Sequence, residues 1–333
     1  MRTALVTGSA GFIGYHLSAR LLAEGWRVIG LDCLSEYYDP ELKRTRHARL
    51  AGDAFEPVIE RVETPGVMAD LMATHRPEAV IHLAAQAGVR HSIEAPRDYV
   101  EANLLGTYEV LEAARATPPS HLLLASTSSV YGAGTNMPYR ETMKADTQMS
   151  FYAATKKAGE SMAHSYAHLY GIPTTMFRFF TVYGPWGRPD MALFKFTSAI
   201  LEGRPIDVYN HGQMRRDFTY VDDLIAGLVG LIPAVPGTEP VSERDSLSPV
   251  APHRIVNIGN GETVELGRFI DVIEAAAGRK AERNMMAMQP GDVPATWADT
   301  GLLTDLLGGE LPRTPVEVGV RAFVDWYRDW AQV

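Results

Sequence analysis

The sequence predicts an α/β protein with a doubly wound parallel sheet and a smaller α/β lobe toward its C terminus. In the first half of the 333-residue chain, short apolar runs alternate with helical patterns, as is typical of buried parallel strands joined by helices. After about residue 180, turn-forming residues become frequent. Since domains average about 150 residues, we expect one unit over 1–180, to which some later segments return, and a second over 181–333.

The hydrophobic pattern places the individual elements. We predict strands over Thr3–Thr7, Arg27–Leu31, Ala79–Leu83, His121–Ala125 and Ile255–Ile258. We predict helices over Gly11–Glu24, Val100–Ala116 and Leu266–Ala277. The proline-rich stretch 233–252 lacks periodicity and is expected to be a surface loop.

Composition excludes several classes of function. The chain has 31 Lys and Arg against 40 Asp and Glu, a net charge of −9, which argues against nucleic-acid or anionic-membrane binding. The single cysteine, Cys33, cannot form an intramolecular disulfide, and the ten histidines show no metal-binding spacing. No apolar run approaches the ~20 residues of a membrane span. We therefore expect a cytoplasmic protein without a metal.

A glycine-rich turn follows the first predicted strand. Gly8, Gly11 and Gly14 form a GxxGxxG pattern at the start of the first helix, where main-chain N–H groups and the helix dipole favour a pyrophosphate. Asp32 ends the second strand, where a carboxylate would bind an adenosine ribose and repel a 2′-phosphate. The pattern therefore favours NAD over NADP, although Asp32 also suits a simple turn.

A phenol and an ammonium lie four residues apart at Tyr152 and Lys156, on one face if the segment is helical. A nearby cation favours phenolate, so we expect Lys156 to lower the pKa of Tyr152 and make it a usable base. By itself, such a pair is usually an ordinary exposed helix pair. Here a hydroxyl cluster, Ser126 to Ser129, ends the strand that precedes it.

These features together resemble the extended short-chain dehydrogenase/reductases, the family of nucleotide-sugar epimerases and dehydratases. The resemblance spans nearly the whole chain, through TGSAGFIG at 7–14, HLAAQAGVR at 82–90, NLLGT at 103–107, STSSVYG at 126–132, YAATK at 152–156 and RRDFTYVDD at 215–223. It implies that Thr127 hydrogen-bonds the sugar O4, that Tyr152 moves its proton, and that Lys156 contacts the nicotinamide ribose. It implies an NAD site at Gly8, Gly11, Phe12, Ile13, Gly14, Asp32, Leu83, Ala84, Ala85, Gln86, Asn103, Tyr152, Lys156 and Phe180.

The residues after Thr127 discriminate within the family. The 4,6-dehydratases have an Asp-Glu pair there and UDP-glucuronate decarboxylases a nearby glutamate, whereas this chain has the neutral Ser128 and Ser129. C4 epimerisation needs no acid at this point. The strongest resemblance is to UDP-glucuronate 4-epimerases, with Ser128, Ser129 and Thr181 as donors to a sugar carboxylate. A decarboxylase, a dehydratase, another UDP-hexose 4-epimerase and a non-enzymatic nucleotide sensor remain alternatives.

The remaining substrate contacts are expected at the UDP end. Arginine suits a diphosphate because its planar fork donates two parallel hydrogen bonds. The resemblance implies that Arg216 binds the diphosphate and that Asp292 lies near the uridine ribose. It implies that Lys195, Val208 and Tyr209 line the uracil side and that Arg90 and Arg188 face the substrate, although the arginines also suit a charged surface. Where the family usually has an aspartate that contacts adenine, this chain has Arg61. The family is usually homodimeric through the helices over Asn103–Ala116 and Tyr152–Leu169.

Overall fold

The structure of the chain, a computed structural model, describes residues 1–333 and is built on one large parallel sheet. Numbered along the chain, its seven strands are β1 (Thr3–Thr7), β2 (Arg27–Asp32), β3 (Phe55–Ile59), β4 (Ala79–His82), β5 (His121–Thr127), β6 (Thr174–Phe179) and β11 (His253–Ile258). They lie in the order β11-β6-β5-β4-β1-β2-β3. The strand order reverses between β1 and β4, which opens a crevice at the carboxyl ends of the strands. The predicted fold class is confirmed.

Helices cover both faces of this sheet. They are α1 (Phe12–Ala23), α2 (Pro40–Leu50), α3 (Val67–His75), the short α4 (His91–Glu94) and α5 (Pro96–Tyr99), α6 (Gly106–Ala116), α7 (Phe151–Tyr170), α9 (Val221–Leu231) and α11 (Gly301–Leu307). One face buries Leu5 and Ile29 against α3 and α6, and the other buries Val6 against α1 and α9. Both faces are therefore apolar, which explains the continuous apolar runs of the strands.

The predicted helix over Val100–Ala116 has two parts. Val100–Leu105 forms a π-helix, and the regular α6 follows it. Asn103 lies within the wider turn, and its buried carboxamide reaches main chain outside the helix. π-Turns inside helices are often found at functional sites.

A smaller lobe with its own core lies beside the sheet. Its strands are β7 (Thr181–Tyr183), β8 (Ile206–Val208), β9 (Arg215–Arg216), β10 (Phe218–Tyr220), β12 (Val264–Glu265) and β13 (Arg283–Met285), which pair as β7–β10, β8–β13 and β9–β12. Its helices are α8 (Ala192–Glu202), α10 (Leu266–Ala277) and α12 (Val316–Ala331). Phe218 stacks on Phe269 with their ring centroids 4.0 Å apart, at the centre of this core.

Segments after residue 180 also belong to the large sheet. β11 pairs with β6 along six residues, and α9 and α11 add Leu224, Leu228 and Leu302 to the apolar layer that contains Val6. The expected division at residue 180 stays a prediction, since the chain passes between the two lobes more than once. No helix combines the length and hydropathy needed to cross a lipid bilayer.

Candidate active site

The turn between β1 and α1 leaves no room for side chains. Gly8 has a φ of +74°, and a Cβ there would lie 2.8 Å from the main-chain nitrogen of Ala84. A Cβ on Gly14 or Gly11 would lie 2.0 or 2.9 Å from the carbonyl oxygen of Gly8. The helix begins at Phe12 without a side-chain cap, so no side chain occupies its first N–H groups. This cradle fits the pyrophosphate of a dinucleotide.

Asp32 stands beside this turn at the end of β2. Its Oδ2 accepts a hydrogen bond from the Ala10 N–H at 3.0 Å, and its Oδ1 accepts one from the Leu34 N–H at 2.8 Å. Each carboxylate oxygen has a further lone pair, and the side chain borders the cavity. The carboxylate therefore fixes the turn and retains acceptor capacity for a ribose hydroxyl.

Arg61 borders the same end of the cavity. Its Nε donates to Oε1 of Glu63 at 2.5 Å, and slightly more than half of the Arg61 side chain is exposed. This part of the cavity therefore presents a guanidinium paired with a nearby acid, and its expected position beside the adenine stays a prediction.

Asn103 supports the loop that follows β4. Its Oδ1 accepts from the Gln86 N–H at 2.8 Å, and its Nδ2 donates to the Gln86 carbonyl and to Thr155 Oγ1, both at 3.0 Å. The side chain is only 2% exposed and does not border the cavity. The Asn103 side chain therefore holds the loop, and its expected NAD contact stays a prediction.

Three hydroxyls surround the end of β5. Thr127 Oγ1 accepts from the Ser129 N–H at 3.2 Å and donates to Ser129 Oγ at 3.3 Å. Ser128 follows in a short 3-10 turn, and all three residues border the cavity. No carboxylate lies in this turn, so the hydroxyls present neutral donors and acceptors there.

Tyr152 and Lys156 lie on the first two turns of α7, which Ser150 caps through the Ala153 N–H. Lys156 is buried, and its Nζ donates to the Ala125 carbonyl at 2.9 Å. Burial lowers the pKa of Lys156 to about 8. Both side chains border the cavity.

In the free protein the pKa of Tyr152 is raised, not lowered as expected. Burial raises the pKa of Tyr152, while a hydrogen bond with Thr127 and the charge of Arg188 oppose that rise without overcoming it. The reason is that Tyr152 is desolvated, whereas the Lys156 ammonium is directed at the Ala125 carbonyl.

The segment that follows β6 brings Phe180, Thr181 and Arg188 to the cavity. Arg188 Nε and Nη2 donate to the two carboxylate oxygens of Asp190, at 3.0 and 2.5 Å. The Tyr37 hydroxyl donates to the same carboxylate at 3.2 Å. Arg188, which the sequence predicts as a substrate contact, is therefore held in position by its ion pair with Asp190.

A second group of side chains borders the cavity, namely Arg90, Tyr209, Arg216 and Asp292. The guanidinium of Arg90 lies 4.3 Å from the centre of the Tyr209 ring and 3.5 Å from Oδ2 of Asp292. Arg216 donates to the main-chain oxygens of Arg215 and Val293, at 3.0 and 2.7 Å. Because its guanidinium bonds only to neutral groups of the chain, it remains available to an anion.

The two remaining predicted contacts differ in position. Lys195 on α8 borders the cavity. Val208 is 1% exposed and packs into the core of the smaller lobe, so its side chain is not available to a ligand. Its main chain continues the pairing of β8 with β13 instead.

All of these surfaces belong to one cavity of about 1260 Å³ between the sheet and the smaller lobe. Every predicted site residue borders it except Asn103 and Val208. The chain brings together no group of three His, Cys, Asp or Glu side chains suited to a metal ion.

The sequence analysis did not single out Tyr37, Lys43 or Asp190, which also border the cavity. Lys43 donates to the main-chain and side-chain oxygens of Ser35, at 2.6 and 2.7 Å. Tyr37 and Asp190 lie in separate segments 153 residues apart, and their sequence gives no sign that they meet.

Comparisons with known proteins agree with this geometry. The model of the NAD dependent epimerase/dehydratase family matches residues 4–242. A probable UDP-glucuronate 4-epimerase of Rhizobium meliloti is 53% identical over 328 residues, which are 97% of this chain and 96% of that protein. UDP-glucuronate 4-epimerase 1 of Arabidopsis thaliana is 42% identical over 98% of this chain and 76% of its own length.

A solved structure resembles the whole chain. The crystal structure of UDP-glucuronic acid 4-epimerase from Bacillus cereus, in complex with UDP-glucuronic acid and NAD, superposes with a TM-score of 0.88. The two sequences are 31% identical, and the match covers 98% of this chain and 99% of that one. The chain belongs to the NAD dependent epimerase/dehydratase family.

Proposed function

We propose that this protein is a UDP-glucuronate 4-epimerase, which interconverts UDP-glucuronate and UDP-galacturonate through a transient 4-keto sugar with bound NAD. The observation that carries this proposal is the convergence of Thr127, Tyr152 and neutral serines on one cavity with a dinucleotide cradle at its other side. The relatives named above and the Bacillus cereus structure with UDP-glucuronic acid and NAD support it.

The glycine cradle and Asp32 would hold NAD, which would supply reversible hydride chemistry at C4 of the sugar. Tyr152 takes the proton of the C4 hydroxyl as the ketone forms, and gives a proton back when the hydride returns to the other face. Thr127, which borders the same cavity as Tyr152, holds the same oxygen in place. No atom of the sugar is gained or lost in the cycle.

Lys156 has a different role in this proposal. Its Nζ is fixed by the Ala125 carbonyl at the level of β5, one turn along α7 from Tyr152. A buried ammonium in this position donates to the cofactor's ribose hydroxyls and orients them, because such hydroxyls accept hydrogen bonds from a cation.

The serine-rich turn accounts for the choice of substrate. Oxidation at C4 makes the glucuronate a β-keto acid, which loses CO2 when its C5–C6 bond aligns with the ketone π system. We propose that Ser128, Ser129 and Thr181 bind the carboxylate and keep it out of that alignment. A dehydratase or decarboxylase would need an acidic side chain in the turn after Thr127, where this chain has none.

The cationic end of the cavity suits the UDP moiety. We propose that Arg216 binds the diphosphate, since its guanidinium has only main-chain partners in the chain. Arg90, Tyr209 and Asp292 form a cluster that suits the uridine, with the ribose hydroxyls as donors to Asp292. Lys195 adds charge at the same end.

We also propose that the protein is a homodimer. Exposed apolar side chains lie on the π-helix and α6 and on the adjacent α7, with exposures of 49% for Leu105, 44% for Tyr108, 40% for Phe151 and 64% for Leu169. A face of this kind on two neighbouring helices suits a second copy packed as a helical bundle.

We propose that the protein is cytoplasmic. Its one cysteine, Cys33, is free, which suits a reducing compartment.

The test is to incubate the purified protein with UDP-glucuronate, without added NAD, and to follow the sugar by proton NMR. We expect the axial H4 signal to be replaced by an equatorial one and to plateau as UDP-galacturonate. A UDP-pentose with released CO2 would instead identify a decarboxylase. Absence of any change, also after NAD is added, would contradict the proposed function.

A further inference from the structure

We propose that Asp190, supported by Tyr37, is a positioning residue that aims Arg188 at the carboxylate of the sugar and thereby sets the preference for an acidic substrate. This inference rests on the proposed function. It assigns a task to two residues that lie outside the predicted catalytic and binding set.

The geometry of the ion pair leaves one side of Arg188 available. Asp190 accepts from Nε and Nη2 at 3.0 and 2.5 Å, which uses one edge of the guanidinium fork. Nη1 takes no part in the pair with Asp190, and the side chain borders the cavity. A two-pronged pair fixes the plane of a guanidinium as well as its position, so the direction of Nη1 is set by Asp190.

Tyr37 fixes the carboxylate in turn. Its hydroxyl donates to Asp190 Oδ2 at 3.2 Å, and its ring lies 4.9 Å from that of His91. The Arg188 and Asp190 side chains are each 24% exposed, so the pair is partly desolvated and stronger than a surface pair. Three side chains therefore form one network at the edge of the cavity.

The main chain of this loop is held separately. Arg46, which is fully buried, donates through Nη2 to the carbonyl oxygens of Trp186 and Gly187 at 2.5 and 3.4 Å. A change at Asp190 therefore acts on the Arg188 side chain while the loop stays anchored. This separation makes the positioning role testable without unfolding the site.

The expected consequence concerns the fate of the ketone. If Arg188 no longer restrains the carboxylate, the C5–C6 bond can align with the C4 carbonyl and break. Its electron pair then forms the enolate, CO2 leaves, and a proton from solvent completes a UDP-4-keto-pentose. Loss of Asp190 should thus weaken binding of the acidic sugar and raise the fraction of turnover that ends in CO2.

The experiment compares Asp190→Asn and Tyr37→Phe with the unmodified protein. We expect Asp190→Asn to raise the KM for UDP-glucuronate about tenfold, the loss typical of one misplaced charged hydrogen bond. We expect CO2 release per turnover to rise several-fold, while the Kd for UDP-glucose, which lacks the carboxylate, changes less than about twofold. Tyr37→Phe should shift the same quantities in the same direction by less.

A double-mutant cycle with Arg188→Ala separates positioning from general damage. If Asp190 acts through Arg188, Asp190→Asn adds nothing further to the KM once Arg188 is removed. Glu317→Gln, which breaks an exposed ion pair with Arg268, is the matched control and should leave all values unchanged.

Three results would overturn the inference while the unmodified protein still converts UDP-glucuronate. The first is a lower KM in Asp190→Asn, which would mean that Asp190 competes with the substrate. The second is an equal loss of binding for UDP-glucuronate and UDP-glucose. The third is that the KM effects of Asp190→Asn and Arg188→Ala are fully additive. If the unmodified protein does not convert UDP-glucuronate, the proposed function itself fails.

Discussion

Glu160 on α7 and Arg178 on β6 form a buried two-pronged ion pair. Arg178 Nε and Nη2 donate to the two carboxylate oxygens of Glu160, both at 2.8 Å, and the side chains are 1% and 2% exposed. Ser126 donates to the same carboxylate at 2.7 Å. The pair ties α7, which carries Tyr152, to β6, and the Ser126 hydrogen bond ties the same carboxylate to β5, which ends at Thr127.

Removal of one partner of this pair should be costly. We expect Glu160→Gln to lower the free energy of unfolding by about 3 kcal/mol at neutral pH, because the Arg178 charge is left buried without its counter-ion. Urea unfolding followed by circular dichroism measures this. Glu24→Gln, which breaks the exposed pair with Arg20, should change the value by less than about 1 kcal/mol.

The same pair should show a defined pH dependence. Burial tends to raise the pKa of Glu160, but Arg178 outweighs it and lowers the pKa from 4.5 to about 2. The carboxylate therefore contributes its full stability above pH 4.5, and this contribution is lost as the pH falls toward 2. The stability difference between the unmodified protein and Glu160→Gln should shrink over that window; a constant difference would contradict the assignment.

Gly14→Ala should remove bound NAD. The new Cβ would lie 2.0 Å from the Gly8 carbonyl oxygen, so the main chain of the cradle must shift. We expect NAD affinity to fall at least about tenfold, measured as cofactor released on denaturation and by titration. Gly267→Ala is the control, since a Cβ there meets no atom within 4 Å.

Asn103→Ala should weaken NAD binding although Asn103 does not border the cavity. The change leaves the main-chain N–H and carbonyl of Gln86 without their partner, at a cost of about 1–3 kcal/mol. NAD titration of the variant should show a rise in Kd. Asn284→Ala, which breaks an exposed contact with Asp207, should leave the Kd unchanged.

Tyr152→Phe should abolish turnover while leaving binding intact. The phenol is the proposed proton carrier, and removal of such a group typically costs at least about 100-fold in rate. Isothermal titration with UDP-glucuronate and the amount of co-purified NAD test binding separately. Activity within a few-fold of the unmodified protein would refute the role of Tyr152.

Thr181→Ala should affect acidic and neutral substrates differently. The hydroxyl is a proposed donor to the carboxylate, so we expect the KM for UDP-glucuronate to rise about tenfold. Binding of UDP-glucose should change little. Equal losses for both sugars would remove Thr181 from carboxylate recognition.

Much of the fold follows from local pattern. The predicted helix over Leu266–Ala277 has the observed bounds, and the strands over Thr3–Thr7 and Arg27–Leu31 differ from the observed ones by at most one residue. The spacing of apolar residues indicates which side of a helix or strand is buried, and this spacing can be read from a short segment of the sequence.

Contacts between distant segments cannot be predicted from local sequence pattern. Tyr37 and Asp190 are 153 residues apart, and neither position shows a periodicity that points to the other. The burial of Val208 depends on its pairing with β13, and the direction of the Lys156 ammonium depends on a carbonyl of β5. These outcomes are decided by tertiary packing.

The return of β11 to the edge of the large sheet has a consequence for how the protein can be divided. A fragment that ends at residue 180 would present the unpaired edge of β6 to solvent and uncover the apolar layer beneath α9 and α11. Exposed edges and apolar faces of that kind cause aggregation. We therefore expect residues 1–180 not to fold as a separate unit, so the glycine cradle cannot be separated from the rest of the cavity.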